Sequence, residues 1–145
     1  MNSSSDISRF IKAQESPYPI YEVALQEIIK GRKQSHWIWF IFPQLRGLGR
    51  SYNANFYGIA NINEAEDYYS NPILRTRLRK ITSALLNHHN KKATEILGSI
   101  DARKVCSCMT LFNIISPNDI FAEVLNTFYS GHQCQQILNL VSKRE

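Results

Sequence analysis

Ser35-His36-Trp37-Ile38-Trp39-Phe40-Ile41-Phe42-Pro43-Gln44-Leu45-Arg46-Gly47-Leu48-Gly49-Arg50-Ser51 is the stretch on which the reading of this chain turns. Both tryptophans lie in it, and Trp37 to Phe42 runs without a polar break. Such a run must be buried, because exposing it would leave a patch typical of binding surfaces. The flanks differ in kind. His36 precedes the run, and Gln44, Arg46, Arg50 and Ser51 follow it in a glycine-containing loop. An apolar segment leading straight into a cationic loop is a way to pin functional groups at a pocket rim.

Two local structures suit Ser35 to Phe42. Its length and aromatic content fit a buried strand. Ser35 is also a good helix cap, and every neighbouring segment reads helical, which favours a short buried helix ended by Pro43.

Outward from this run the chain reads as helices. Asp6 can cap a helix through Gln14, with Ile7, Phe10 and Ile11 on one face. Pro19 suits the first turn of a helix to Lys30, stopped by Gly31. Ser51 caps a turn through Tyr57. Asn63 to Tyr69 forms another helix, with Glu66 as the acid of a capping box. Pro72 opens the longest helix, to about Asn87, with Leu74, Leu78, Ile81 and Leu85 as its core stripe. Thr94 to Leu97 is a turn before Gly98. Asp101 caps a helix to Ile115, Ser116-Pro117-Asn118-Asp119 starts one to Tyr129, and the last spans about Gln133 to Lys143. The expectation is an all-α, compact single domain over residues 6–145, of about seven to nine short helices around a buried aromatic segment. Residues 1–5 are read as a frayed tail.

The 145 residues fit one core, and 43% apolar content excludes a disordered chain. The net charge is +5, but it is unevenly spread. Ile28 to Thr94 holds eleven Lys and Arg against three acids, a local +8 that leaves −3 elsewhere. Such a field favours an anionic partner or ligand; the plainer account is a solvated basic face. Cys106, Cys108 and Cys134 are odd in number, and the first two lie too close for an ordinary disulfide. The polar N-terminus shows no signal peptide and no apolar run approaches about 20 residues, so a soluble, cytoplasmic protein without membrane association is expected.

Gly47-Leu48-Gly49-Arg50-Ser51 has the make-up of an anion nest: glycines let backbone N–H groups converge, and Arg50 adds a fork for phosphate or carboxylate. A tight turn that needs two glycines explains the same residues. The stretch is neither a Walker loop nor a dinucleotide fingerprint, since no Gly-Lys-Ser/Thr follows and Tyr52 occupies the third glycine position. His36 can serve as a general base or simply bond to backbone at a helix start. His88, His89, His132 and the cysteines show no metal-ligand spacing, and no metal or cofactor is expected.

These residues resemble a known family. Ser-His-Trp-x-Trp-Phe-x-Phe-Pro-Gln-Leu-x-Gly-Leu-Gly-x-Ser, here Ser35 to Ser51, is similar to the hallmark of domain-of-unknown-function family 1810, sometimes labelled calpastatin. The likeness extends to Arg9-Phe10 with Ala13-Gln14, Tyr57-Gly58-Ile59, Asn71-Pro72-Ile73-Leu74 with Arg77-Leu78, Ile96-Leu97-Gly98, Asp101-x-x-Lys104 and Ser107-x-Met109-Thr110-Leu111-Phe112. The resemblance implies a mainly helical single domain with no established activity. Calpastatins are long, disordered and repetitive, which this globular composition is not. Cys106 and Cys108 replace the arginine and second serine usual in the family's Lys-x-Arg-Ser-Ser-Met-Thr-Leu-Phe. If that arginine helps bind an anion in relatives, this chain lacks that donor.

Two functional expectations follow. The first is a pocket protein, or a hydrolase, for a small phosphorylated or nucleotide-like ligand of the ADP-ribose type. Trp37 or Trp39 would stack a base; Gln44, Arg46, Gly47, Gly49, Arg50 and Ser51 would hold the anion; His36 would do the acid–base work. The second is a non-catalytic module that presents Arg75, Arg79, Lys80, Lys91 and Lys92 to an acidic protein or nucleic acid.

Overall fold

The computed structural model describes residues 6–144, so the tail expected at 1–5 lies outside them. Ten helices follow in order: α1 (Ser8–Glu15), α2 (Ile20–Lys30), α3 (Ile38–Ile41), α4 (Tyr52–Phe56), α5 (Ile62–Ser70), α6 (Pro72–Leu86), α7 (Ala93–Leu97), α8 (Ser99–Ile115), α9 (Ile120–Tyr129) and α10 (Gln135–Arg144). Three of them, α3, α4 and α7, are single turns of four or five residues. No strand forms among the described residues; the nearest thing is one parallel bridge between Leu45 and Ile59.

Two helices organise the packing. α6 contacts α1, α2, α5 and α9, while α8 contacts α5, α7, α9 and α10. α5 and α9 therefore join the two halves. Leu74, Leu78, Ile81 and Leu85 are all buried on α6, so the helical repeat marks the inner face as expected. Rings span the core as a chain, from Phe10 to Tyr68 (5.0 Å), Phe112 (5.5 Å) and Phe121 (5.8 Å).

Several helix ends match the sequence reading. Gly31 closes α2 at φ 82°, a left-handed turn that glycine adopts without Cβ strain. Ser51 Oγ accepts from Ala54 N and caps α4. Asp119 Oδ1 accepts from Ile120 N at the start of α9. Three caps differ. α1 has no side-chain cap, and Asp6 instead accepts from the Ser8 hydroxyl. α5 is capped by Asn61, which accepts from Glu64 N, so Asn63 and Glu66 lie inside the helix rather than at its edge. α8 begins at Ser99, two residues before the expected Asp101 cap, and Asp101 turns instead to Lys33 at 2.9 Å. Glu64 and Asp101 are drawn off by distant cations, and local capping rules carry no information about such partners.

Candidate functional site

The aromatic run is held from both sides. Trp37, Ile38, Phe40, Ile41 and Phe42 are buried, and the helical alternative holds, as the single turn α3. From α1, buried Gln14 donates to the Phe40 carbonyl at 2.8 Å. From α2, the Glu27 carboxylate collects four hydrogen bonds: Gln34 N (2.8 Å), Ser35 N (3.0 Å), Ser35 Oγ (2.5 Å) and Trp37 Nε1 (3.0 Å). Burial raises the Glu27 pKa, and the hydrogen bonds from Ser35, Gln34 and Trp37 overcome it, so the carboxyl titrates below its ordinary value. Trp37 is thus a core residue, closed to a ligand by its neighbours.

The polar groups of the hallmark separate onto different cavities. His36 is exposed and Trp39 half-buried, and both line a cleft of about 360 Å³ against the start of α8. Its other walls are Lys33, Ile100, Asp101 and Lys104. The Lys104 ammonium lies over the Trp39 ring, 5.4 Å from its centroid. Lys33 pairs with Asp101 and sits 4.6 Å over the Trp37 ring. No side chain caps α8, and its first-turn residues Ser99, Ile100 and Asp101 line this cleft, at the positive end of a 17-residue helix dipole. Trp39 Nε1 is buried and has no hydrogen-bond partner among the described residues.

The glycine loop behaves differently. Gly47 turns the chain at φ 109°. At Gly49 a Cβ would lie 2.8 Å from Ala54 Cβ, so the loop packs tightly on α4. Ser51 is spent on capping, and the Arg50 carbonyl accepts from Asn55 Nδ2 at 3.4 Å. Arg46 donates to the carbonyls of Asn55 and Gly58, both at 3.0 Å, and lines a separate, larger cavity between α1, α4 and α5. Gln44 borders a space of about 10 Å³ beside Trp39, room for about one water. His36 and Trp39 therefore come together in one cleft, Gln44 meets Trp39 only at that small space, and Arg46, Gly47, Gly49, Arg50 and Ser51 do not join them.

Much of the basic helix is engaged within the chain. Arg77 pairs with Glu15 at 2.7 Å, and Arg79 grips Asp119 at 2.7 and 3.2 Å. Arg75 donates to the Tyr69 carbonyl, and Lys91 to the Gly31 carbonyl at the end of α2. Lys80 and Lys92 are exposed. The divergent Cys106 lies away from the cleft, its Sγ 3.7 Å from the His132 carbonyl, while Cys108 is fully buried. Ser107 and Thr110 are buried and bond locally to the carbonyls of Arg103 and Cys106. Among the described residues, no three His, Cys, Asp or Glu side chains group as metal ligands, and no helix is long and apolar enough to cross a membrane.

Reasoning along the chain missed Lys33, Lys104 and the first turn of α8 as neighbours of Trp39. The Asp101-x-x-Lys104 spacing was their one visible trace.

Fold and site define a compact all-α domain built around a buried hallmark segment, with a cleft lined by Lys33, His36, Trp39, Asp101 and Lys104 at its N-terminal side. The chain belongs to the family described as protein of unknown function (DUF1810), whose model matches residues 4–141. It is similar to the crystal structure of the conserved hypothetical protein Rv1873 from Mycobacterium tuberculosis. The two share 38% identity and a TM-score of 0.90, over 94% of this chain and 96% of the other. No curated protein matches the chain.

Proposed function

We propose that this protein binds a small phosphorylated, nucleotide-like ligand in the cleft between His36, Trp39 and the first turn of α8. The observation that supports it is the uncapped N-terminus of α8 opening beside Lys104 and a half-buried tryptophan. Backbone N–H groups at a helix start favour phosphate, and the dipole adds to them. Lys104 would leave the Trp39 ring for the phosphate, freeing that face for a base. A cleft of about 360 Å³ falls at the lower end of small-molecule sites, so an ADP-ribose-type ligand would place one half inside and the other at the mouth. If the ligand is hydrolysed, exposed His36 is the group at the rim able to move a proton.

A thermal-shift series with inorganic phosphate, AMP, ADP and ADP-ribose tests this reading. Binding stabilises the fold by about 2.7 kcal/mol at a hundredfold excess over Kd. Stabilisation by at least one of these, reduced in Lys104→Ala and in Trp39→Ala, is the expected result. No shift with any of the four, or shifts indifferent to Lys104→Ala, overturns it.

A further inference from the structure

A separate cavity of about 870 Å³ lies elsewhere, between α1, α4 and α5. We propose that it is a second binding site, for a neutral polyhydroxylated ring such as a sugar or the ribose of a nucleoside.

The lining includes two guanidinium groups, buried Arg9 and exposed Arg46, both bonded to the chain. Arg9 directs all five of its N–H donors into the protein: to the carbonyls of Phe56, Asp6 and Gly58, and to both oxygens of Glu64. Arg46 reaches the carbonyls of Asn55 and Gly58. Their two positive charges stand against three lining carboxylates, Asp6, Glu64 and Asp67. An anion would therefore find near-neutral to negative surroundings and guanidinium groups already engaged. This is the reverse of the cleft at α8.

The wall is aromatic. Tyr52 is 75% exposed and Phe56 42% exposed. Their rings stack one helical turn apart on α4, 5.6 Å between centroids and 11° from parallel. A flat ring face held this way suits the apolar C–H face of a sugar ring.

The rim is polar and of mixed sense. Asn61 Oδ1 is taken by Glu64 N, which leaves its NH₂ group as donor. Asn55 Nδ2 reaches the Arg50 carbonyl, which leaves its Oδ1 as acceptor. Asn63 and Asp67 complete the rim. Hydroxyl groups both donate and accept, so a diol matches such a mixed set better than a pure cation or a pure anion does.

The test uses the full-length, isotope-labelled chain and amide NMR titration. The probes are glucose, N-acetylglucosamine, adenosine and uridine, with inorganic phosphate as the anionic control. The expected result is saturable shifts at residues 52–67 with at least one neutral probe, at a Kd in the range of about 1 mM. Sugars and nucleosides form separate arms, so the responding arm names the source of the ring. Tyr52→Ala should weaken binding about tenfold and Tyr52→Phe should retain it, because the ring face rather than the hydroxyl makes the contact, while the thermal midpoint of the free protein stays close to wild type in both. Lys104→Ala should leave this binding unchanged, which separates it from the phosphorylated-ligand reading. No saturable shift with any neutral probe, equal affinity in Tyr52→Ala, or displacement by phosphate overturns the proposal.

Discussion

Arg9 and Glu64, 55 residues apart in sequence, form a two-point buried ion pair at 2.9 and 3.2 Å. Glu64 Oε1 also accepts from Ala60 N, and Arg9 lies 4.4 Å over the Phe10 ring. The pair ties α1 to α5 and to the Phe56–Gly58 corner between α4 and the Leu45–Ile59 bridge. Removing one member leaves the other charged and desolvated, so Arg9→Ala or Glu64→Ala should cost about 3–5 kcal/mol. Replacing both by apolar residues of similar size should cost much less. Urea unfolding of the three variants checks this, and a loss under about 1 kcal/mol in both single variants would show the pair to be dispensable.

The Arg79–Asp119 pair gives a pH signature. The Arg79 guanidinium, bonded to the Asp119 carboxylate, holds its pKa down against the opposing effect of burial; Ser116 and Ile120 N assist, and it falls from 3.8 to about 2. A depressed carboxyl contributes stability that is complete above its unfolded value, and that is lost as pH falls through the folded value. The window here runs from about pH 4 down to about pH 2. Asp119→Asn keeps a good helix cap and removes the charge. After allowance for solvent screening of this half-exposed pair, it should lower stability by about 1–2 kcal/mol at pH 7. The gap between wild type and variant should narrow between pH 4 and pH 3 in urea melts. A gap that stays constant down to pH 3 would falsify the assignment.

How far the fold was legible depends on how local each signal is. The α6 stripe, the Gly31 stop and the Pro43 break act within one or two turns, and sequence reading finds them. Glu66 looked like a capping acid because Asn63 stands before it, yet Arg9 and Asn61 give that place to Glu64. Asp101 looked like a cap because Lys33, 68 positions earlier, is not visible from α8. The candidate site suffered in the same way. His36 and Trp39 were found from their own stretch, whereas Lys104 and the α8 first turn reach them only through folding. The arginines after Pro43 looked like part of the same rim, but the bridge from Leu45 to Ile59 carries Arg46 to another cavity.

The thiols differ in access. Burial pushes Cys108 well above the ordinary thiol range, and it raises Cys106 as well, with Cys134 adding to the effect. The thiolate is the reactive form, so the buried Cys108 should resist alkylation in the native protein at pH 7 and react only on unfolding. Peptide mapping by mass spectrometry after a timed iodoacetamide pulse decides this. Modification of Cys108 as fast as Cys134 under native conditions would mean that α8 opens readily.

The aromatic run and its loop should separate scaffold from surface. Phe40 is buried and receives the Gln14 bond at its carbonyl, so Phe40→Ala should cost about 3–5 kcal/mol. Trp39 keeps part of its ring in solvent and leaves its Nε1 unbonded, so Trp39→Ala should cost less, about 1–3 kcal/mol. Arg46 bridges Asn55 and Gly58 through charged hydrogen bonds, which makes about 1–2 kcal/mol reasonable for Arg46→Ala. Arg50 is exposed, and Arg50→Ala should change stability by under about 1 kcal/mol. The expected order in urea midpoints is therefore Phe40→Ala lowest, then Trp39→Ala, Arg46→Ala and Arg50→Ala. Trp37→Phe adds a second check, since it removes one of the four bonds to Glu27 while keeping an aromatic ring in the core. It should destabilise at pH 7 and lose part of that effect when Glu27 protonates at low pH, because a carboxyl with a depressed pKa holds its partners best when ionised. Equal losses in Phe40→Ala and Arg50→Ala would place the loop in the scaffold and remove the distinction between the buried run and its surface.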